Sequence, residues 1–373
     1  MRTPICDRFG IEFPIFAFSH CRDVVAAVSR AGGLGVLGAL AFTPEELEVE
    51  LNWIDEHVDR LPYGVDLVMP ANYVGAGGTQ PGEAELRAMI PQAHWDFAES
   101  VLAEFGVPAL PPDSTPERAR AAGLGVDDQA GGAVEVALKH PVRLLVNALG
   151  PPPLEVVETA HSHDVLVGAL VGNRRHAEKQ VELGVDVIVA QGTEAGGHTG
   201  DVATMVLVPE VVDAVGSAVP VLAAGGIGSG RQMAAALALG AEGVWTGSIW
   251  LTVAEADTPP EALRNILAAD SRSTVRSRAM TGKPARQLKT AWTEAWDRPD
   301  APTTLPMPLQ GILYGEVARR VTRAHNRDLA GFPAGQIIGR LDRVRPTSEV
   351  MFELVAEWVA TTERLCGLLG SVD

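Results

Sequence analysis

Eight short apolar runs, separated by turns and by segments of helical spacing, constrain the fold of this 373-residue chain most strongly. The runs are apolar at consecutive positions, as expected for parallel strands that are covered on both faces. They predict strands at 12–18, 34–37, 65–69, 142–147, 165–170, 185–190, 219–224 and 243–246. Eight strand–helix units in about 250 residues are typical of an α/β TIM (β/α)8 barrel. A doubly wound parallel sheet is the alternative, because periodicity does not fix closure.

Two regions depart from this rhythm. Residues 70–132 are rich in glycine and proline, with helical patterns near 83–90, 93–105 and 115–122. We interpret them as an insertion or lid after the third strand. After Trp250 the pattern is helical and irregular, with helices expected at 257–270, 310–326 and 346–368.

These observations predict two domains. Residues 1–250 form the barrel with its insertion, and residues 251–373 form a smaller, mostly helical lid or substrate domain. The last helix carries an apolar stripe that should pack back on the barrel. The stripe consists of Val350, Leu354, Val355, Trp358 and Val359.

Composition excludes several classes of function. Lysine and arginine total 30 and aspartate and glutamate total 47, so the net charge is −17. This charge argues against nucleic acid and acidic membranes as partners. Three scattered cysteines fit neither a disulfide framework nor a zinc site. The N-terminus lacks a signal peptide and no apolar run is long enough to cross a bilayer, so we expect a cytoplasmic protein.

The loop after the sixth predicted strand is the strongest candidate for a binding site. Its sequence from Gln191 to Gly200 is QGTEAGGHTG, which contains four glycines. Glycines at this density let the backbone approach a flat or anionic ligand closely and form an anion-binding nest. The polar side chains that remain in the loop are Gln191, Thr193, Glu194, His198 and Thr199. The alternative is a plain glycine-rich turn with a solvated histidine.

The loops after the seventh and eighth strands carry phosphate-binding chemistry. Ala224, Gly225 and Gly226 precede a predicted helix, and Gly247 and Ser248 follow the last strand. TIM barrels often hold a phosphate at these two loops. The stretch 33–38 is a literal GxGxxG, but it follows a helix and contains a strand, so it is not a dinucleotide fingerprint.

Other polar residues give weaker signals. His20 follows the first strand and faces the same mouth as His198. Both a structural role and a contact with the substrate are open for His20. Cys21 has no base beside it and is not expected to act as a nucleophile. His161 and His163 lack a supporting cluster of carboxylates or cysteines, so no metal site is predicted.

At these residues the chain resembles the nitronate monooxygenase family, formerly called 2-nitropropane dioxygenases, and the related FMN-dependent enoyl-ACP reductases. The resemblance lies in AQGTEAGGHTG, VPVLAAGGIG, ALGAEGVWTG and AGGLG, with weaker matches at 307–310 and 334–336. It implies a TIM barrel that binds FMN non-covalently under a smaller helical domain.

The resemblance also implies roles for individual residues. Gly225, Gly226, Gly247 and Ser248 would bind the FMN phosphate, with Ala224 beside them. Gln191, Gly196 and Gly197 would lie near the flavin, and His198 near its ring and the substrate. Asp66 stands where such proteins often have asparagine, and Asn147 is a further ring contact. His198 is the expected catalytic residue, because the pKa of a histidine lies near neutrality. His20 is expected as a second polar group at the site.

The chain departs from the family at two places. Many nitronate monooxygenases place a catalytic base at the end of the fifth strand, where this chain reads VGALVG from Val167 to Gly172. The first strand reads FAFSH instead of the common Ala-Pro-Met, which is consistent with a larger substrate such as an acyl thioester.

The leading functional prediction is an FMN-dependent monooxygenase that oxidises alkyl nitronates with O2. One alternative is a flavin-dependent NAD(P)H reductase of an enoyl or acyl thioester, and another is an FMN-binding protein with a non-redox role. An aldolase-type barrel would need a Schiff-base lysine at a strand end, and none of the predicted strand ends has one. The oligomeric state is left open.

Overall fold

Eight parallel strands close into a barrel in the computed structural model, which describes residues 1–40, 42–69, 82–111 and 129–368. Each barrel strand pairs with the next one along the chain, and the last strand pairs with the first. The barrel strands are β1 (Ile15–Ser19), β2 (Leu34–Gly38), β3 (Tyr63–Leu67), β4 (Leu144–Asn147), β5 (Leu166–Val171), β6 (Val187–Gln191), β8 (Val221–Ala224) and β9 (Gly243–Thr246). All eight predicted strands and the TIM-barrel fold are confirmed, with shifts of one to three residues at most ends.

Alternation along the strands divides the side chains into two apolar layers. Inward-facing residues such as Phe16, Val36 and Val189 fill the barrel, and the intervening residues pack against the surrounding helices. The short helix α1 (Pro4–Phe9) closes the amino-terminal end of the barrel, where the Phe9 and Phe16 rings meet edge to face at 5.2 Å. The carboxyl ends of the strands therefore form the open mouth.

Eight helices of the described ranges surround the barrel. They are α2 (Arg22–Arg30), α3 (Pro44–His57), α6 (Gln129–Ala137), α7 (Leu154–Ser162), α8 (Arg174–Glu182), α9 (Thr204–Val215), α10 (Gly230–Ala238) and α14 (Thr347–Gly367). Helix α14 packs on α10 and α2, as predicted for the last helix. Val350 and Leu354 of its stripe are buried, whereas Val359 is exposed, so the stripe is narrower than expected.

Helix α6 was missed because two consecutive glycines argue against a helix. A Cβ atom at Gly132 would come within 3.0 Å of the Pro44 side chain. The glycine therefore lets α6 approach α3 closely, and this packing offsets the low helix propensity. Part of the region predicted as an insertion, 129–132, thus belongs to the barrel framework.

A second apolar core lies outside the barrel. The described part of the insertion forms α4 (Glu83–Ala88) and α5 (Gln92–Glu104), which match two of its predicted helices. They pack against residues 279–330, and Trp292 and Leu313 are fully buried in this core. The remaining helices are α11 (Pro260–Leu267), α12 (Ala291–Ala295) and α13 (Leu309–Arg323). The predicted helix at 115–122 lies outside the described residues.

A small antiparallel sheet joins the two parts of the molecule. Strand β7 (Gly197–His198) belongs to the glycine–histidine loop and pairs with β11 (Ala285–Leu288), which pairs with β10 (Thr274–Ser277). The prediction of a helical and irregular region after Trp250 was wrong at this hairpin. Strands of four residues and two residues are too short to give a readable alternation.

Candidate active site

The candidate site lies at the mouth of the barrel, at the carboxyl ends of the parallel strands. Residues that face inward at this level come from different strands and converge on one space. They are Phe18, Gly38, Asp66, Leu170, Gln191 and Ala224. The topology thus places residues that are far apart in sequence around a single opening, as the TIM-barrel prediction required.

The glycine–histidine loop is held in place by the C-terminal part of the chain. Arg286 donates from Nε to the carbonyl oxygen of Thr193 at 2.7 Å, and the Gln336 amide donates to the carbonyl oxygen of Glu194 at 2.9 Å. The Glu194 carboxylate accepts hydrogen bonds from the amide and hydroxyl of Thr204, at the start of α9. The loop is therefore an ordered part of the site.

Close packing explains two glycines near this loop. A Cβ atom at Gly196 would lie 2.9 Å from the backbone of Gly335, and one at Gly335 would lie 2.6 Å from the carbonyl oxygen of Glu194. Gly197 has a φ of +79° and nothing within 4 Å of its Cβ position, so it borders open space. The first pair fixes the loop, and Gly197 leaves room for a ligand.

His198 lies on β7 beside the mouth. Its Nε2 is 2.8 Å from Oγ1 of Thr281, which orients the ring. Burial, together with the nearby Lys283 ammonium, lowers the pKa of His198 to about 4. The expectation of a pKa near neutrality was therefore wrong, because it ignored desolvation. At neutral pH the imidazole is uncharged, and it can donate or accept a hydrogen bond without carrying a positive charge.

The loops after β8 and β9 offer backbone donors that the described residues leave without acceptors. Gly225 and Gly226 have φ values of +98° and +70°, a conformation that favours glycine. No described residue accepts a hydrogen bond from the backbone amides of Gly226, Gly247 or Ser248. A Cβ atom at Gly247 would meet only the Phe18 ring, at 3.9 Å. Unpaired amides beside open space are what a phosphate requires.

Protein acceptors already occupy the neighbouring donors. The Gly230 amide at the start of α10 donates to Oε2 of Glu357 at 2.8 Å, and the Gly228 amide donates to Oε1 of Gln232 at 3.0 Å. The Ser248 hydroxyl accepts a hydrogen bond from the Gly335 amide at 2.8 Å. Side chains of the protein itself thus cap the N-terminus of α10. The backbone amides that remain free to bind a phosphate lie in the glycine loops.

Asp66 and Asn147 end neighbouring strands but have different surroundings. Asp66 is 2% exposed, and neither carboxylate oxygen has a hydrogen-bond partner among the described residues. Burial raises the pKa of its carboxyl group well above the ordinary value. The nearby Ala148 amide, whose own hydrogen bond goes to the carbonyl oxygen of Leu67, opposes this only in part. Asn147, in contrast, accepts from the Met69 amide at 2.9 Å and donates to the carbonyl oxygens of Met69 and Gly150.

His20 lies at the rim of the mouth, next to an aromatic wall. Its Nδ1 is 2.8 Å from the carbonyl oxygen of Gly38, so Nδ1 carries the proton and Nε2 is left as an acceptor. The Phe18 ring lies 5.0 Å from the His20 ring and 6.3 Å from the Trp245 ring. Cys21, next in sequence, donates to the carbonyl oxygen of Glu255, and burial raises the pKa of its thiol.

Several residues of this region were missed by sequence reasoning. Thr281, Lys283 and Arg286 come from the β10–β11 hairpin, which the sequence did not reveal. Only the weak family match at 334–336 pointed to the segment that holds the loop. Among the described residues, no cluster of three histidine, cysteine or acidic side chains could hold a metal ion.

Comparison with known proteins identifies the family. Residues 2–357 match the model of a protein family described as "Nitronate monooxygenase". The chain belongs to the nitronate monooxygenase family. It is a flavin-dependent oxidoreductase. None of the helices in the described ranges is both long enough and apolar enough to cross a membrane.

Two mycobacterial relatives are similar to this chain. The protein named "Putative monooxygenase Rv1533" from Mycobacterium tuberculosis is 54% identical over 99% of this chain and 100% of its own length. The second, from the same organism, is "(3aS,4S,5R,7aS)-5-hydroxy-7a-methyl-1-oxo-octahydro-1H-indene-4-carboxyl-CoA dehydrogenase". It is 30% identical over 79% of this chain and 68% of its own length.

Two solved structures share the fold over nearly the whole chain. Nitroalkane oxidase from Streptomyces ansochromogenes superimposes with a TM-score of 0.78 and 26% identity, covering 95% of this chain and 98% of that one. FabK from Thermotoga maritima gives a TM-score of 0.74 and 27% identity, covering 99% of both chains.

Proposed function

We propose that the protein binds FMN at the barrel mouth and oxidises alkyl nitronates with O2. Two nitronate anions and one O2 would give two carbonyl compounds and two nitrite anions, which balances atoms and charge. The nitronate monooxygenase family supports the reaction class. The arrangement of residues at the mouth supports both the cofactor and the charge state of the substrate.

The residues at the mouth fit FMN. The unpaired amides of Gly226, Gly247 and Ser248, with Gly225 and Ala224 beside them, would hold the phosphate. Gln191, Gly196, Gly197 and the unpartnered carboxyl group of Asp66 would border the flavin ring. Asn147 would position the backbone around Met69 beside it. FMN supplies the chemistry of accepting electrons from the substrate and passing them to O2.

One observation carries the proposal for a nitronate. The inward-facing residue near the end of β5 is Leu170, flanked by Ala169 and Val171, so this strand contributes no base. His198 is uncharged at neutral pH and is hydrogen-bonded to Thr281. A neutral nitroalkane needs a base to remove a proton, whereas a nitronate arrives already deprotonated. The uncharged His198 would donate a hydrogen bond to the nitronate and orient it, with His20 at the rim.

The reduction of an acyl thioester is the second candidate. The relative with 30% identity is named for a carboxyl-CoA substrate, and the FabK structure covers 99% of this chain. The aromatic wall of Phe18 and Trp245 offers an apolar surface for an acyl chain. In this reaction NADH or NADPH would reduce the flavin.

Anaerobic stopped-flow absorbance separates the two reactions. The FMN-loaded protein is mixed with propionate-3-nitronate, NADH and NADPH in separate experiments. Bleaching of the flavin by the nitronate, followed by nitrite release when O2 is admitted, is the expected result. Bleaching by a nicotinamide alone would overturn nitronate oxidation and favour the reductase. A protein that binds no FMN after reconstitution would refute the cofactor assignment.

A further inference from the structure

Asp66 is a buried acid whose polar atoms the protein leaves unused. It lies on β3, where Tyr63, Val65 and Leu67 face the helices while Asp66 faces the barrel interior. Its backbone neighbours are Gly38 on β2 and Val146 on β4, and neither can give its side chain a hydrogen bond. Both carboxylate oxygens are buried without a partner among the described residues. Such an atom in a binding site marks a place where a ligand supplies the partner.

Electrostatics at the mouth does not favour the ionised carboxylate. Burying an isolated charge costs far more than burying a neutral acid, so the group remains protonated unless a cation compensates. Among the described residues, the titratable groups at this mouth are His20, which is hydrogen-bonded to Gly38, and His198 with the nearby Lys283. His198 is uncharged at neutral pH, and only burial and the Ala148 amide act on Asp66. Burial at the barrel mouth therefore favours the protonated form of Asp66.

We propose that Asp66 binds the flavin as a neutral carboxylic acid whose O–H donates a hydrogen bond to an acceptor atom on the edge of the ring. This inference rests on the proposed binding of FMN. It adds a specific charge state to a residue that the family resemblance makes only a ring contact. An asparagine at this position would donate a similar hydrogen bond but could never lose its donor proton.

The consequence is a cofactor affinity that depends on the proton of Asp66. Ionisation would turn the donor into an acceptor and place a negative charge beside the carbonyl oxygens and nitrogens of the ring. Both changes weaken binding, so flavin affinity should fall as the pH rises through the ionisation of Asp66. The Asp66→Asn protein should bind flavin with an affinity that does not change over the same range.

Infrared difference spectroscopy and flavin titration test this inference together. In the FMN-loaded protein at pH 7, we expect a carbonyl band of a protonated carboxylic acid that disappears in Asp66→Asn and persists in Asp257→Asn. Asp257 is an exposed carboxylate near the same rim and serves as the matched control. Riboflavin is the titrant in the binding experiment, because it lacks the phosphate group whose own ionisation near pH 6 would interfere.

Comparing Asp66→Asn with Asp66→Leu distinguishes a hydrogen-bond donor from a residue that only fills space. Riboflavin affinity at pH 7 should stay within about threefold in Asp66→Asn and fall at least about tenfold in Asp66→Leu, which has a similar size but no donor. In the wild type, the pH at which the infrared band disappears should match the pH at which affinity falls. Absence of the band at pH 7, or equal losses in both variants, would overturn the inference. Failure of the wild type to bind any flavin would instead refute the proposed cofactor.

Discussion

At the scale of single residues, the site depends on titratable groups that burial keeps uncharged. His198 has a pKa of about 4 and is oriented by Thr281. We expect His198→Ala to retain FMN and to slow substrate-dependent reduction of the flavin by about 10²-fold, the usual cost of removing one preorganised donor. Stopped-flow absorbance measures the rate, and the flavin content of the purified protein is the control. An unchanged rate would exclude a catalytic role for His198.

The same pKa predicts how the stability of the apoprotein depends on pH. The His198 pKa is about 4 in the folded protein, against the ordinary value of 6.5 in the unfolded chain. Between these values the unfolded state binds more protons, so the free energy of unfolding falls as the pH is lowered from 6.5 towards 4. Because His198 is half-buried, we expect a loss on the order of 1–2 kcal/mol.

Urea unfolding at pH 7 and pH 5 measures this loss. His198→Gln should show a smaller drop in unfolding free energy between the two pH values. The exposed residue His163 provides the control, since His163→Gln should follow the wild type. Identical drops in the wild type and in His198→Gln would show that other groups determine the acid sensitivity.

Substitutions at Gly226 test the phosphate site. A side chain there meets no close contact, so the backbone strain set by its φ of +70° can be separated from the effect of charge. The nearest atom to a Cβ there is Cβ of Glu194 at 3.5 Å, so alanine fits sterically and costs about 1–2 kcal/mol of backbone strain. We expect Gly226→Ala to bind FMN weakly and Gly226→Asp to lose it, since a carboxylate would repel the phosphate. Equilibrium dialysis gives both affinities. If Gly226→Asp retained FMN as well as Gly226→Ala, the phosphate would lie elsewhere.

At the scale of secondary structure, the β10–β11 hairpin supports the glycine–histidine loop. The Arg286 guanidinium is buried and donates to Thr193. Arg286→Met keeps an apolar stem of similar length but leaves the Thr193 carbonyl oxygen without this donor, a cost of about 1–3 kcal/mol. We expect the dissociation constant for FMN to rise about tenfold, measured by fluorescence quenching. Arg272→Met, on an exposed residue before β10, should leave it unchanged. Equal affinities in the two variants would contradict a supporting role for Arg286.

The elements that the sequence predicted well are those with a local signal. The eight apolar runs became eight strands. Thr43 and Glu46 form a capping box at the start of α3, with hydrogen bonds of 3.2 Å and 2.8 Å, and these two residues are only three positions apart in the sequence. Helix α6 and strand β7 depend on contacts with distant residues, Pro44 and Ala285, that no sequence window contains. The same holds for the site, since the charge states of Asp66 and His198 follow from burial, which only the fold determines.

At the scale of the whole molecule, the site lies where two apolar cores meet. The barrel is joined to the core around Trp292 by the β7–β11 pairing and by the contact of His198 with Thr281. The neighbouring turn residues Ala279 and Met280 belong to that second core. The division into a barrel of residues 1–250 and a lid domain of residues 251–373 stays a prediction. The structure nevertheless shows that the insertion helices α4 and α5 share a core with residues 279–330. A ligand at the mouth would therefore contact the loop that links both cores.

This arrangement predicts that FMN couples the unfolding of the two cores. Binding at 100 times the dissociation constant adds about 2.7 kcal/mol to the stability of whatever unit must unfold to release the ligand. Trp250 reports on the barrel, and Trp292 reports on the second core; both are buried. The chain has seven tryptophans, so each signal is isolated by subtracting the fluorescence of Trp250→Phe or Trp292→Phe from that of the wild type. In thermal unfolding, the two difference curves should show separate midpoints without FMN and a single, higher midpoint with it. If FMN raised only the barrel midpoint, the second core would lie outside the cooperative unit that binds the cofactor.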